Sequence, residues 1–154
     1  MQVWIAMVVG VAAMIDDLAR RHIANWIPAA ALAGGFGWQI GRGGWLGALT
    51  ALAGTVTGFA VFLIFYLLGG MGGCDVKLMA GFGALLGAGR LLEAALWTAG
   101  IGGIMALVAL GWRALRRSAA APETLSAEER EREASIPYAP AIALGVWLSL
   151  VPKV

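Results

Sequence analysis

Long apolar runs, broken by short polar or glycine-rich stretches, set the plan of this chain. A helix needs about 20 apolar residues to cross a bilayer, and fewer where it tilts or the bilayer thins. On that measure the pattern predicts about six transmembrane helices, over roughly 2–15, 26–40, 45–68, 76–89, 94–112 and 137–151. The breaks between them differ in chemistry. The polar stretch DDLARRHIAN follows the first helix, and GRGG at 41–44 makes a tight turn after the second. GGMGGCD leads into the fourth, and Arg90 and Glu93 mark the turn before the fifth. The one long soluble segment is charged and lies at about 113–135, where AEEREREAS can form i to i+4 ion pairs on a short surface helix. The fold class is therefore an all-α integral membrane protein, with residues 1–154 forming a single polytopic domain.

Composition makes the same assignment independently. With 60% hydrophobic and 13% charged residues and a mean hydropathy of +0.82, the chain does not fit a soluble domain of 154 residues. A net charge of +2, spread along the sequence, gives no footprint for nucleic acid. One cysteine, Cys74, excludes an internal disulfide and any Cys-based zinc site, and with only His22 besides, no metal centre is expected. Nothing in the sequence calls for a cofactor. The first apolar run has no basic region before it and meets an aspartate pair rather than a small-residue cleavage site, so it is expected to stay as a helix. Trp4, Trp26, Trp45, Trp97, Trp112 and Trp147 stand near expected helix ends, which suits anchoring at the bilayer interface. Recurrent glycine and alanine, as in LAGGFGW, LLGAGR and TAGIGGIM, let membrane helices pack closely.

The basic residues give an orientation. Alternate connections collect Arg20, Arg21, Lys77, Arg113, Arg116, Arg117, Arg130 and Arg132 on one side, and Arg42, Arg90 and Lys153 on the other. By the positive-inside rule the N-terminus faces outward and the first loop inward. Asp16, Asp17 and Asp75 then share the cytoplasmic edge. Carboxylates at a membrane edge are costly and usually functional. Two of them brought together tend to hold one proton between them, so one can act as base and the other as acid. The base deprotonates a water that attacks a peptide carbonyl, and the acid hydrogen-bonds the developing oxyanion. Consecutive residues on a helix diverge by about 100°, so only one of Asp16 and Asp17 can point at Asp75. Gly72 and Gly73, free to take positive φ, would let a substrate strand approach. The plainer readings are a solvated helix end for Asp16 and Asp17, an N-cap for Asp75, a snorkelling Lys77, and a small buried residue for Cys74.

DDLARRHIAN, GGMGGCDVKL and IPYAPAIALG, in that order, resemble the prepilin peptidases, and in particular the small Tad/Flp-type branch of these GxGD-type membrane proteases. The resemblance covers nearly the whole chain. In the family, an aspartate ending the first helix is followed by basic residues and Ile-Pro-Asn, matched here by Asp17, Arg20, Arg21, Ile23, Ala24 and Asn25. Its Gly-x-Gly-Asp motif with trailing Val-Lys is matched by Gly72, Gly73, Cys74, Asp75, Val76 and Lys77, and its last helix by Pro137, Tyr138, Ala141, Ile142 and Gly145. The resemblance implies a multi-pass aspartic endopeptidase of the bacterial inner membrane. It would cut short basic leaders from prepilin or pseudopilin precursors on the cytoplasmic side. Asp17 and Asp75 would be catalytic, with Asp16, Gly72, Gly73, Cys74 and Lys77 supporting them. Arg20, Arg21 and Asn25 would meet substrate or lipid headgroups. Two positions depart from the pattern, Cys74 for glycine and Ala24 for proline. A Cβ at position 74 costs about 1 kcal/mol if the site requires a left-handed backbone. The competing classes are a small proton-coupled transporter, whose carboxylates would lie nearer the midplane, and a noncatalytic pilus-assembly homologue.

Overall fold

The computed structural model describes residues 1–20, 23–68, 71–119 and 138–151. Among them the regular structure is entirely helical. Helix α1 is Gln2–Arg20, α2 is Trp26–Leu67, α3 is Gly73–Ala119 and α4 is Ala139–Leu150. Three stretches, Gln2–Arg20, Trp26–Leu67 and Gly73–Trp112, are long and apolar enough to cross a membrane, and α4 is a shorter apolar helix.

Helices α2 and α3 are each broken at one glycine. Gly44 has φ 54° and ψ −128°, and Gly87 has φ 74° and ψ 166°, conformations that a side chain disfavours. At Gly44 the chain reverses. A Cβ on Gly47 would overlap the carbonyl oxygen of Gln39, whereas eight residues along a continuous helix are about 12 Å apart. After Gly87 the chain also doubles back, because Leu91 returns to Gly58, which already faces Met79. The described residues thus form six helical segments, α1, 26–43, 45–67, 73–86, 88–119 and α4. The first break falls within the expected GRGG turn. The second comes earlier than Arg90 and Glu93, at the glycine that can adopt the required angles.

Segment 73–86 is the centre of the molecule. From Asp75 through Gly87 every residue except Lys77 is buried. A helix that is apolar all round is covered on all sides, and this one is sandwiched between the two halves of α2. Gly35 faces Ala84 and Leu85, Gly81 faces Pro28 and Ala31, and Gly54 faces Gly83. Helix α4 packs against α1 through Gly10 and Trp147, and against 88–119 through Gly145 and Thr98. The outward faces are apolar as well, with Leu49, Leu52, Val56, Phe59, Leu107 and Val108 between 45% and 71% exposed. An uncovered apolar surface of that extent belongs in lipid.

Several boundaries differ from expectation. Helix α1 continues through the aspartate pair to Arg20, because Arg20 lies one turn from Asp16, 3.4 Å away, and favours the negative end of the helix dipole. Helix α3 runs to Ala119, so the first residues of the expected loop at 113–135 are helical, and its remainder lies outside the described residues. Trp147 is half-buried against α1. Its indole Nε1 donates to the Ala6 carbonyl at 3.2 Å and its ring covers Gly10.

Candidate active site

Both buried aspartates lie at the end of the bundle opposite the Gly44 and Gly87 breaks. Asp17, in the last turns of α1, is 8% exposed, and Asp75, in the first turn of α3, is 7% exposed. The two carboxyl groups are close enough to act on each other electrostatically. Each is held by backbone. Asp17 Oδ2 accepts the Ala139 N–H at 3.1 Å, at the start of α4, where Pro140 in the first turn helps to define the helix end. Asp75 Oδ2 accepts the Gly72 N–H at 3.3 Å, and the Asp75 N–H returns a bond to the Gly72 carbonyl at 3.1 Å. Asp75 is therefore the third helical residue reaching back to the cap position, rather than the N-cap itself.

Asp16 points elsewhere, as adjacent helical residues must. Its Oδ2 accepts the Ala24 N–H at 2.7 Å and its Oδ1 pairs with Arg20. A proline at position 24 could not donate that bond, so the departure at Ala24 supplies a donor. Lys77 Nζ donates to Asn25 Oδ1 at 3.2 Å. Arg20 is exposed, and Arg21 lies outside the described residues.

Gly72 and Gly73 are exposed, and neither has the positive φ that the sequence allowed them. A Cβ on Gly73 would meet the Tyr66 ring at an ordinary 3.6 Å, so what these glycines leave is an open surface beside Asp75. Cys74 lies within the regular part of α3 and packs against the core. Its backbone is not left-handed, so its Cβ carries no strain. Cys74→Gly is accordingly expected to lower stability, by about 0.5–1 kcal/mol, since glycine weakens a helix. Thermal unfolding in detergent checks the sign, and a gain would mean that position 74 is strained.

Sequence reasoning missed the Ala139 amide. A backbone donor has no side-chain signature, although Pro140 marked the nearby helix start. It also missed Tyr66, which ends up beside the glycine pair through the packing of α2 on α3.

A sequence model of the type IV leader peptidase family matches residues 4–107, which include both aspartates and most of the bundle. The chain belongs to the type IV leader peptidase family. The chain matches no curated protein and no solved structure. Membership makes this leader peptidase homologue a hydrolase of peptide bonds, and its long apolar helices make it a membrane protein. Helix α4 lies beyond the matched region, yet it supplies the Ala139 N–H to Asp17. Among the described residues no group of three or more His, Cys, Asp or Glu could hold a metal ion.

Proposed function

We propose that this leader peptidase homologue is an aspartic endopeptidase that cleaves the short basic leader from type IV or Flp-type prepilins, with Asp17 and Asp75 activating one water. The observation that carries the reading is the meeting of two buried aspartates from different helices at one end of the bundle. The ionised carboxylate takes a proton from water as its oxygen attacks the scissile carbonyl, and the protonated partner hydrogen-bonds the oxyanion. Collapse of the tetrahedral adduct breaks the C–N bond, and the proton goes to the leaving amine. The exposed Gly72 and Gly73 leave room for an extended strand, while the substrate's apolar segment remains in lipid.

The site end is the cytoplasmic edge in this reading, with the N-terminus outside and the helical segments crossing in turn. Arg20 and Lys77 lie at the site end, in keeping with the positive-inside rule. Placement at an end of the bundle also separates the protein from a transporter, whose site belongs near the midplane. The deciding test is co-expression with prepilin-like substrates in a bacterial membrane, with the cut site read by mass spectrometry. Cleavage just before the apolar segment is the expected result. Intact precursors across several leader sequences would reject the peptidase reading and favour a noncatalytic assembly homologue.

A further inference from the structure

Residues 23–25 lead into α2, and each is attached differently. The Ile23 side chain is 1% exposed and belongs to the core. The Ala24 N–H donates to Asp16, the neighbour of Asp17, at 2.7 Å. The Asn25 side chain accepts from Lys77, two residues beyond Asp75, at 3.2 Å. One three-residue segment is therefore tied to the immediate surroundings of both aspartates.

The behaviour of Asn25 is the decisive detail. Asparagine at an N-cap ordinarily turns its oxygen onto the free N–H groups of its own helix. Asn25 occupies the N-cap of α2 but makes no side-chain cap bond, and its oxygen is given to Lys77 on another helix. Lys77 in turn cannot readily serve Asp75 directly. Two residues on a helix place it about 200° around the axis from Asp75, and it is the one exposed residue between Asp75 and Gly87. Lys77 thus tethers the face of α3 that is turned away from Asp75.

Building on the peptidase reading, we infer that residues 23–25 are a strap that fixes the spacing of the aspartate-bearing helices, and that Asn25 and Lys77 are positioning residues acting through their mutual hydrogen bond. Catalysis by a carboxylate pair depends on sub-ångström placement, so a loosened strap lowers turnover while leaving substrate capture in place.

The test is a double-mutant cycle on the full-length protein in detergent, with Asn25→Ala, Lys77→Ala and the double variant, assayed on purified prepilin. Each single change is expected to lower kcat by about tenfold with KM nearly constant, and the double variant to be no worse than the poorer single one. Asn25→Asp, which keeps the acceptor, is expected to restore kcat, and Asn25→Leu is not. Amide hydrogen exchange in the same variants needs no catalysis. Exchange around residues 16–20 and 71–77 is expected to quicken in each single variant without a further rise in the double. Additive kcat losses, a change confined to KM, or uncoupled exchange would overturn the strap. Coupled exchange in a protein that cleaves no leader would uphold the strap and reject the peptidase reading.

Discussion

Asp17→Asn and Asp75→Asn are each expected to abolish leader cleavage, with a loss on the order of 10²–10⁴-fold, while yielding protein at least as stable as the wild type. Asparagine is nearly isosteric with aspartate and keeps one carbonyl oxygen. That oxygen can still accept the Ala139 N–H at position 17 or the Gly72 N–H at position 75, so the starts of α4 and α3 are retained. What is lost is the capacity to take up and release a proton. Stability should move the other way, because two buried carboxyl groups oppose each other and each substitution removes one of them. An inactive variant with a higher Tm is the signature of a site arranged for chemistry at the expense of stability. Asp16→Asn is the control. It can still accept the Ala24 N–H, and it should keep cleavage, because its side chain is turned toward the strap. The measurements are precursor processing at matched membrane levels and thermal unfolding of the purified variants. Equal processing by wild type and either Asn variant would remove that aspartate from the reaction.

The candidate site was legible as a pair of carboxylates, groups that are costly beside apolar runs and so have few plain uses there. Asp17 and Asp75 stood out because charges are rare in apolar runs, and GRGG announced a reversal that the structure places at Gly44. Where the reading was displaced, tertiary partners decided the outcome. The polarity of Asp16 and Asp17 signalled the end of α1, yet Arg20, the Ala24 amide and the Ala139 amide supply partners that let the helix continue to Arg20. The turn expected at Arg90 and Glu93 moved to Gly87, where the freed Leu85 carbonyl is taken up by two distant amides, those of Gln2 at 2.8 Å and Gln39 at 3.1 Å. No local pattern in the sequence pairs residue 85 with residue 2. The contacts of Trp147 with Gly10 and the Ala6 carbonyl depend on a helix pairing that spacing alone does not reveal.

Gly83→Ala, and more severely Gly83→Val, is expected to cost about 3 kcal/mol or more, beyond ordinary overpacking because backbone rather than side chain stands in the way. Segments 45–67 and 73–86 touch here through their main chains. A Cβ on Gly83 would overlap the Gly54 carbonyl oxygen and lie 2.7 Å from its carbon, and a Cβ on Gly54 would meet the Gly83 carbonyl in the same way. Both glycines open small-residue repeats of period four, GTVTG at 54–58 and GALLG at 83–87, the pattern that brings membrane helices into close contact. Space, not backbone angle, demands glycine at 54 and 83, since neither has a positive φ. Gly103→Ala is the matching control, because nothing lies within 4 Å of its added Cβ, and it should be neutral or stabilising by about 0.5–1 kcal/mol. Tm in detergent and the amount of folded protein extracted from membranes measure both. A Gly83→Ala protein as stable as wild type would mean that the two helices do not meet at this point. The contact also bears on catalysis. Gly83 lies eight residues from Asp75 on the same helix, about 12 Å along its axis, so prising α3 from α2 at Gly83 shifts the rod that carries Asp75. The surviving folded fraction should therefore show a lower kcat than wild type.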